Sequence, residues 1–251
     1  MKIGVIGLGL IGGSIFKDLT SLGYNVIGIS KSQNGDNIYK TYENLTSCEV
    51  VFVCTPINKT LDVLDELEKI LSPETIVTDV CSLKEFVSQK TRSYKFIPSH
   101  PMAGTEKQGF ENSFEGMFKG ANWVICPITK DENVEKLEKI IKSLGANPII
   151  ADAKEHDKAV AFISHMPMLL SQAIFKTASQ NPLALKIAAS GFRDMTRLAM
   201  SNIEMANDMI VMNAENIENS LLNLYKSIGE LTHSNYKEQI LKIKNEREKM
   251  Y

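Results

Sequence analysis

Residues 2–19 read KIGVIGLGLIGGSIFKDL, and the reading of this stretch decides the fold. Lys2 to Ile6 is a short apolar run that stops at a glycine cluster; a helical pattern starts near Gly12 and ends around Leu22-Gly23. Gly7, Gly9 and Gly12 make GLGLIG between them, and a second strand-like run, NVIGIS, follows at 25–30. A bare GxGxxG says little, but here it sits where the motif requires, after a strand and opening a helix. Gly7 permits the turn, Gly9 leaves room for a pyrophosphate that a Cβ would strike, and Gly12 lets the helix lie close on the strand. The free N–H groups of the first helical turn, at Leu10, Ile11 and Gly12, then face the anion. The turn reads as a dinucleotide cradle.

Outward from it, the alternation of strand and helix continues. VVFVCT (50–55) is a third apolar run, closed by Pro56. Leu61, Leu64, Leu67, Ile70 and Leu71 have helical spacing. TIVTDV (75–80) reads as a strand and the segment from about Leu83 as a helix; FIP (96–98), WVICP (123–127) and NPIIA (147–151) are further strand candidates around an amphipathic helix from Glu132 to Leu144. Short apolar strands alternating with helices predict a doubly wound, mostly parallel sheet covered on both faces. After about residue 152 strand patterning ceases and Ala, Leu, Met and Ile recur at three- and four-residue spacing. We therefore expect a Rossmann-type α/β domain at 1–151 and an all-helical domain at 152–251, ending in a solvated amphipathic helix.

Composition narrows the class. The chain has 251 residues, 43% hydrophobic and 23% charged, with a formal net charge of -2, so nothing draws it to nucleic acid or to an anionic membrane. Cys48, Cys54, Cys81 and Cys126 form no CxxC pair and read as reduced core residues, with no metal site. The N-terminus does not read as a signal peptide, and no run is expected to reach the ~18 apolar residues that span a bilayer. A cytoplasmic protein is expected.

At the end of the second strand, where an acid would bind the ribose of NAD, the chain reads Ser30-Lys31-Ser32. A hydroxyl and a lysine suit a 2′-phosphate, so NADP is favoured over NAD; Asp36 lies close enough in sequence to leave NAD open. In a doubly wound sheet ligands lie at the carboxyl ends of the strands. Cys54, Thr55 and Pro56 are expected beside the cofactor there, Ser82 and Lys84 in the loop after the next strand, and Ser99 and His100 after the strand ending near Pro98.

In that order, GLGLIGGS, DVCSLK, SHPMAGTEKQG, SHMP and GFRDMTR resemble the motifs of the prephenate and arogenate dehydrogenases, which make tyrosine or its precursor. The resemblance runs through essentially the whole chain, and HPMAGTE is its most specific part. It implies a Rossmann domain joined to a helical domain that dimerises, and hydride transfer to NAD(P) coupled to decarboxylation of a cyclohexadiene. It casts His100 as the group that takes or holds the substrate's hydroxyl proton, a task suited to a neutral imidazole. It implies that Ser82 bonds the same hydroxyl or orients His100, and also borders the cofactor. Arg197 is implied to grip a substrate carboxylate through its planar fork. His165 and Arg193 are further substrate candidates, with Thr105, Glu106 and Lys107 behind them. Asp194 is expected to orient an arginine or cap a helix. Many members carry a second histidine where this chain has Met168, which leaves prephenate against arogenate open. His156 and His233 have no motif around them and are expected at the surface. By the same resemblance, neither a tyrosine-binding regulatory domain after the helices nor a mutase before residue 2 is expected.

Two other readings compete. Beta-hydroxyacid dehydrogenases share the two-part plan but use a lysine at a glycine- and asparagine-rich helix start, and no such segment lies between 152 and 200. A non-catalytic dinucleotide sensor gives no reason for Ser82, His100 and Arg197 together. Met195, Met200, Met205, Met209 and Met212 fall close together, a surfeit expected where helices pack on a twin subunit.

Overall fold

The computed structural model describes residues 1–105, 107–233 and 235–250. Strands β1 (Lys2–Ile6), β2 (Asn25–Ile29), β3 (Ile38–Tyr39), β4 (Val50–Val53), β5 (Ile76–Asp79) and β6 (Lys95–Phe96) form a parallel sheet in the order β3-β2-β1-β4-β5-β6. Helix α1 (Leu10–Ser21) follows β1 and α2 (Ile57–Leu67) follows β4. The order reverses between β1 and β4, so the crevice that takes a ligand in such sheets opens where Ile6 and Val53 end their strands. Val50–Val53 is buried throughout because helices cover both faces.

The remaining strands form a second sheet. β7 (Ser99–Pro101) runs antiparallel to β8 (Asn122–Ile125), which pairs parallel with β9 (Asn147–Ile150); α3 (Glu132–Ser143) joins the last two. His100 is therefore inside a strand, opposite Val124, and not in a loop after one. Trp123 of β8, fully buried, meets Phe52 edge-on at 6.3 Å and ties the two sheets together.

The helix expected from Leu83 is absent: residues 82–90 are bends and turns, with Ser88 N–H reaching the Lys84 and Glu85 carbonyls. Lys84 is the cause. Its side chain turns inward, fully buried, to pair with Asp79 and to donate to the Ser99 carbonyl at 2.6 Å.

From Ala153 the regular structure of the described residues is helical: α4 (Ala153–Val160), a π-helical turn at Ala161–His165, α5 (Met166–Ala178), α6 (Pro182–Lys186), α7 (Ser190–Met195), a 3₁₀ turn at Arg197–Met200, α8 (Ile203–Met212), α9 (Ala214–His233) and α10 (Tyr236–Glu248). Asp152 caps α4 by accepting from the N–H groups of Lys154 and Glu155. Contrary to the expectation that no apolar run is long enough, Ala153–Ala178 forms one helical segment with the length and composition to cross a membrane. Its apolar residues serve two faces: Val160, Ala161 and Met168 pack inward, while Phe162, Ile163 and Phe175 are exposed.

Candidate functional site

Gly7 takes φ +84°, and a Cβ there would lie 2.6 Å from the Cys54 carbonyl oxygen; a Cβ at Gly12 would strike the Gly7 carbonyl. Strand, turn and helix are thus packed too closely for any other residue. Gly9 is the reverse, with nothing within 4 Å of the place its Cβ would occupy. Helix α1 opens there without a side-chain cap and without an acid in its first turn. Open space over uncapped N–H groups fits a pyrophosphate. Gly7, Gly9, Leu10, Ile11 and Gly12 are thus grouped as expected, with Cys54, Thr55 and Pro56 across the switch point. Thr55 is fixed by its hydroxyl contact with Thr60 at 2.9 Å.

At the end of β2, Ser30 is buried and its hydroxyl accepts from Gln33 N–H at 3.1 Å, which shapes the loop and leaves the O–H to donate. Lys31, Ser32 and Asp36 are exposed. Sequence reading missed Lys40. Its ammonium reaches back to the carbonyls of Gln33 (2.6 Å) and Lys31 (3.3 Å), placing a second cation on this loop.

The second cluster hangs on two aspartates. Asp79 accepts from the N–H groups of Cys81 (2.9 Å) and Ser99 (3.1 Å) and pairs with Lys84, so the DVCSLK segment and the start of β7 are locked together. Ser82 and His100 are carried on these two segments, yet no hydrogen bond joins them among the described residues. His100 is held by His156 instead. Its Nδ1 lies 3.0 Å from His156 Nε2, and His156 Nδ1 lies 2.8 Å from Asp157 Oδ1. The expectation that His156 is a surface residue is wrong: it is 3% exposed, turned inward from α4 beside Asp157, which accepts from the N–H groups of Lys84 (2.8 Å) and Glu85 (2.9 Å). The adjacent His-Asp pair at the start of the first helix after the last strand was the available signal.

Proton positions follow from this chain. Asp157 only accepts, so His156 Nδ1 donates and its Nε2 accepts. His100 Nδ1 must then donate, which leaves His100 Nε2 as a bare acceptor. Burial first, and then the repulsion that a protonated ring would meet from His156, Lys84 and His165 in their charged forms, hold the His100 pKa well below the usual histidine value. His100 is a neutral base whose basic nitrogen is fixed.

His165 is fully buried at the end of the π-helical turn, a feature that recurs at functional sites. Burial lowers its pKa to about 4. Arg193 and Arg197 are exposed; Arg193 lies 3.7 Å from Asp194, as a locally oriented arginine would, and Arg197 makes no ion pair among the described residues. The single chain does not bring either arginine into contact with His100. Thr105 is exposed and accepts from Lys107 N–H at 3.1 Å, and Glu106 lies outside the described residues. Met168 is buried beside Ala206 and Met209, as core filling. His233 is exposed, as expected.

Residues 28–169 match the family model described as prephenate dehydrogenase, nucleotide-binding domain, and residues 152–243 the model described as prephenate dehydrogenase, dimerization domain. A prephenate dehydrogenase of Bacillus subtilis (strain 168) is 32% identical over 236 residues, covering 84% of this chain and 64% of that protein. One from Lactococcus lactis subsp. cremoris is 31% identical, covering 92% and 70%. The chain thus spans about two thirds of the length of these relatives. Among solved structures, Synechocystis arogenate dehydrogenase superposes with a TM-score of 0.85 at 32% identity, covering all of both chains.

Proposed function

We propose, from the premise that this chain belongs to the prephenate dehydrogenase family, that it oxidatively decarboxylates prephenate to 4-hydroxyphenylpyruvate, or arogenate to tyrosine. The observation that carries the proposal is the fixed polarity of His100, a neutral imidazole with Nε2 bare. A bound NAD(P) supplies the acceptor for the hydride that leaves the hydroxyl-bearing ring carbon. As the carbonyl forms, the hydroxyl proton passes to His100 Nε2. It returns to the same oxygen when the ring carboxylate leaves as CO2 and its bonding pair makes the ring aromatic. The protein therefore has to hold one proton and orient one ring.

Ser82 bonds the reacting hydroxyl at the cofactor's edge. Arg197 grips a substrate carboxylate, with Arg193, His165 and Thr105 as further contacts; Arg193, Arg197 and Thr105 are exposed and open to be completed by a second subunit, and the chain works as a homodimer through residues 152–251, in the cytoplasm. NADP is favoured, because the loop after β2 offers Lys31 and Lys40 and no carboxylate at the strand end.

The test is an assay with prephenate or arogenate and either NAD or NADP, following the reduced nicotinamide. Turnover of one diene, with the lower KM for NADP, is expected. No reduction with either diene refutes the activity, and a clear NAD preference refutes the reading of the β2 loop. In the active pairing, His100→Asn should lower kcat by roughly 10²–10⁴, the range for a lost general base, with cofactor affinity unchanged.

A further inference from the structure

Asp157 has two branches. Through its carboxylate it fixes His156 and so His100. Through its backbone carbonyl it fixes Asn213, the residue between α8 and α9, whose side-chain nitrogen lies 2.9 Å away. A carbonyl only accepts, so the Asn213 atom facing it is the NH2 group. The opposite end agrees: Asn213 Oδ1 accepts from Asn216 Nδ2 at 2.8 Å. Asn213 is buried and has no freedom to turn its amide over.

The same NH2 group lies 3.0 Å from His165 Nδ1. Two donors cannot face each other, so Nδ1 accepts and the proton of the neutral ring is on Nε2. That N–H is fully buried and has no partner among the described residues. An unmet buried donor is costly, and each one in a folded protein calls for an explanation. His165 also belongs to the cluster: its charge acts on His100, and the charges of Asp157 and His156 act on it.

We propose that Asn213 is a positioning residue that holds His165 as the Nε2–H tautomer, so that His165 donates a hydrogen bond to the bound cyclohexadiene or its aromatic product. One aspartate then sets two histidines to opposite polarity. His100 is the acceptor, for the proton that moves, and His165 is the donor, for a ligand oxygen that does not. Only the identity of the ligand rests on the dehydrogenase reading.

The test has a spectroscopic and a binding arm. In the full-length chain labelled with ¹⁵N-histidine, the imidazole shifts should show His165 protonated at Nε2 and bare at Nδ1 at neutral pH. In Asn213→Ala the two tautomers should mix, with cofactor affinity close to the parent's. A protonated Nδ1 in the parent, or an unaltered tautomer in the variant, overturns the proposal whether or not the protein turns over any substrate. In the binding arm, 4-hydroxyphenylpyruvate and tyrosine are titrated into the cofactor-loaded protein. His165→Leu should weaken the better-bound probe about tenfold, the size of one lost hydrogen bond. Asn213→Ala added to that variant should cost little more, because both act through one bond. Additive losses, or unweakened binding in His165→Leu, overturn the ligand role. If Asn213→Ala does not fold, Asn213→Leu, which fills the space and offers no donor, takes its place with the same expectations.

Discussion

The strand-bearing half closes on two apolar clusters, one around Ile3, Phe52 and Trp123 and one around Val51, Leu64 and Val87. The helices from Ala153 onward have one small cluster among the described residues, Met168 with Ala206 and Met209. In the same helices Ile163, Ile187, Met200, Ile203, Val211 and Tyr225 are each more than 60% exposed. Burying one such side chain stabilises by about 1.5–3 kcal/mol. The first half is thus closed as a single chain, and the second has its apolar surface still to cover. The difference explains why the cofactor turn and the Asp79–Lys84–Ser99 lock are complete here while Arg197 stands exposed.

The largest expected effect breaks the closed half. Lys84 is a fully buried charge paired with Asp79, and removing one partner of such a pair strands the other, at about 3–5 kcal/mol. Lys84→Met should therefore lower the unfolding free energy by that order in a denaturant titration. Asp79→Asn in the same chain should recover part of it. It removes the stranded charge and keeps one oxygen, which can accept from the N–H of either Cys81 or Ser99 but not from both, so the recovery is incomplete. A Lys84→Met variant as stable as the parent would show that the lock is not what holds β7 to β5.

That lock also marks the limit of what was legible in sequence. The glycine turn, β1, β2, β4, β5 and α3 were readable because each is a local pattern: apolar spacing, a breaker, a capping acid; the two-residue β3 carries no such pattern and was not read. Segment 83–90 has helical spacing too, but Lys84 is drawn into the core by groups five and fifteen residues away. His156 was misread for the same reason. Its partner His100 is 56 residues distant, and the only local sign that it turns inward is the aspartate beside it. His100 was singled out by its place at a strand end and Arg197 by resemblance; their surroundings were not legible. The methionine-rich helices did signal a surface in need of cover.

The open half is probed by dilution. If a second copy covers the exposed helices, changing the protein concentration 100-fold shifts the stability of the assembled state by RT ln 100, about 2.7 kcal/mol. The helical circular-dichroism transition should then move by several degrees between dilute and concentrated samples. Added NADP should raise the melting of the strand-bearing half at either concentration. Melting independent of concentration, with a monomer in sedimentation, would mean that the exposed side chains are not a subunit interface, and the contrast between the halves would need another cause.

The smallest effect reads the seam between them, where His100 from β7 meets His156, Asp157 and His165 from the helices, with Lys84 facing the same cluster. In the unfolded chain a histidine binds its proton near pH 6.5. Burial lowers the His165 value to about 4 and holds that of His100 well below the ordinary one. Between these limits the unfolded state carries more protons than the folded state, so stability falls as pH falls. The slope from His165 is roughly 1.4 kcal/mol per pH unit, lost between about pH 6.5 and 4 and constant below. The lowered carboxylates Asp65 and Glu49 also lose their stabilising contribution as pH falls, so the His165 share is read as the difference between the parent and the His165→Leu profile. Unfolding free energies measured from pH 7 to 4.5 should therefore decline steadily, and His165→Leu should remove about one proton's worth of the slope. A flat profile in the parent would mean that these histidines charge freely in the folded state, and that the seam is open to water instead of closed around two rings of fixed polarity.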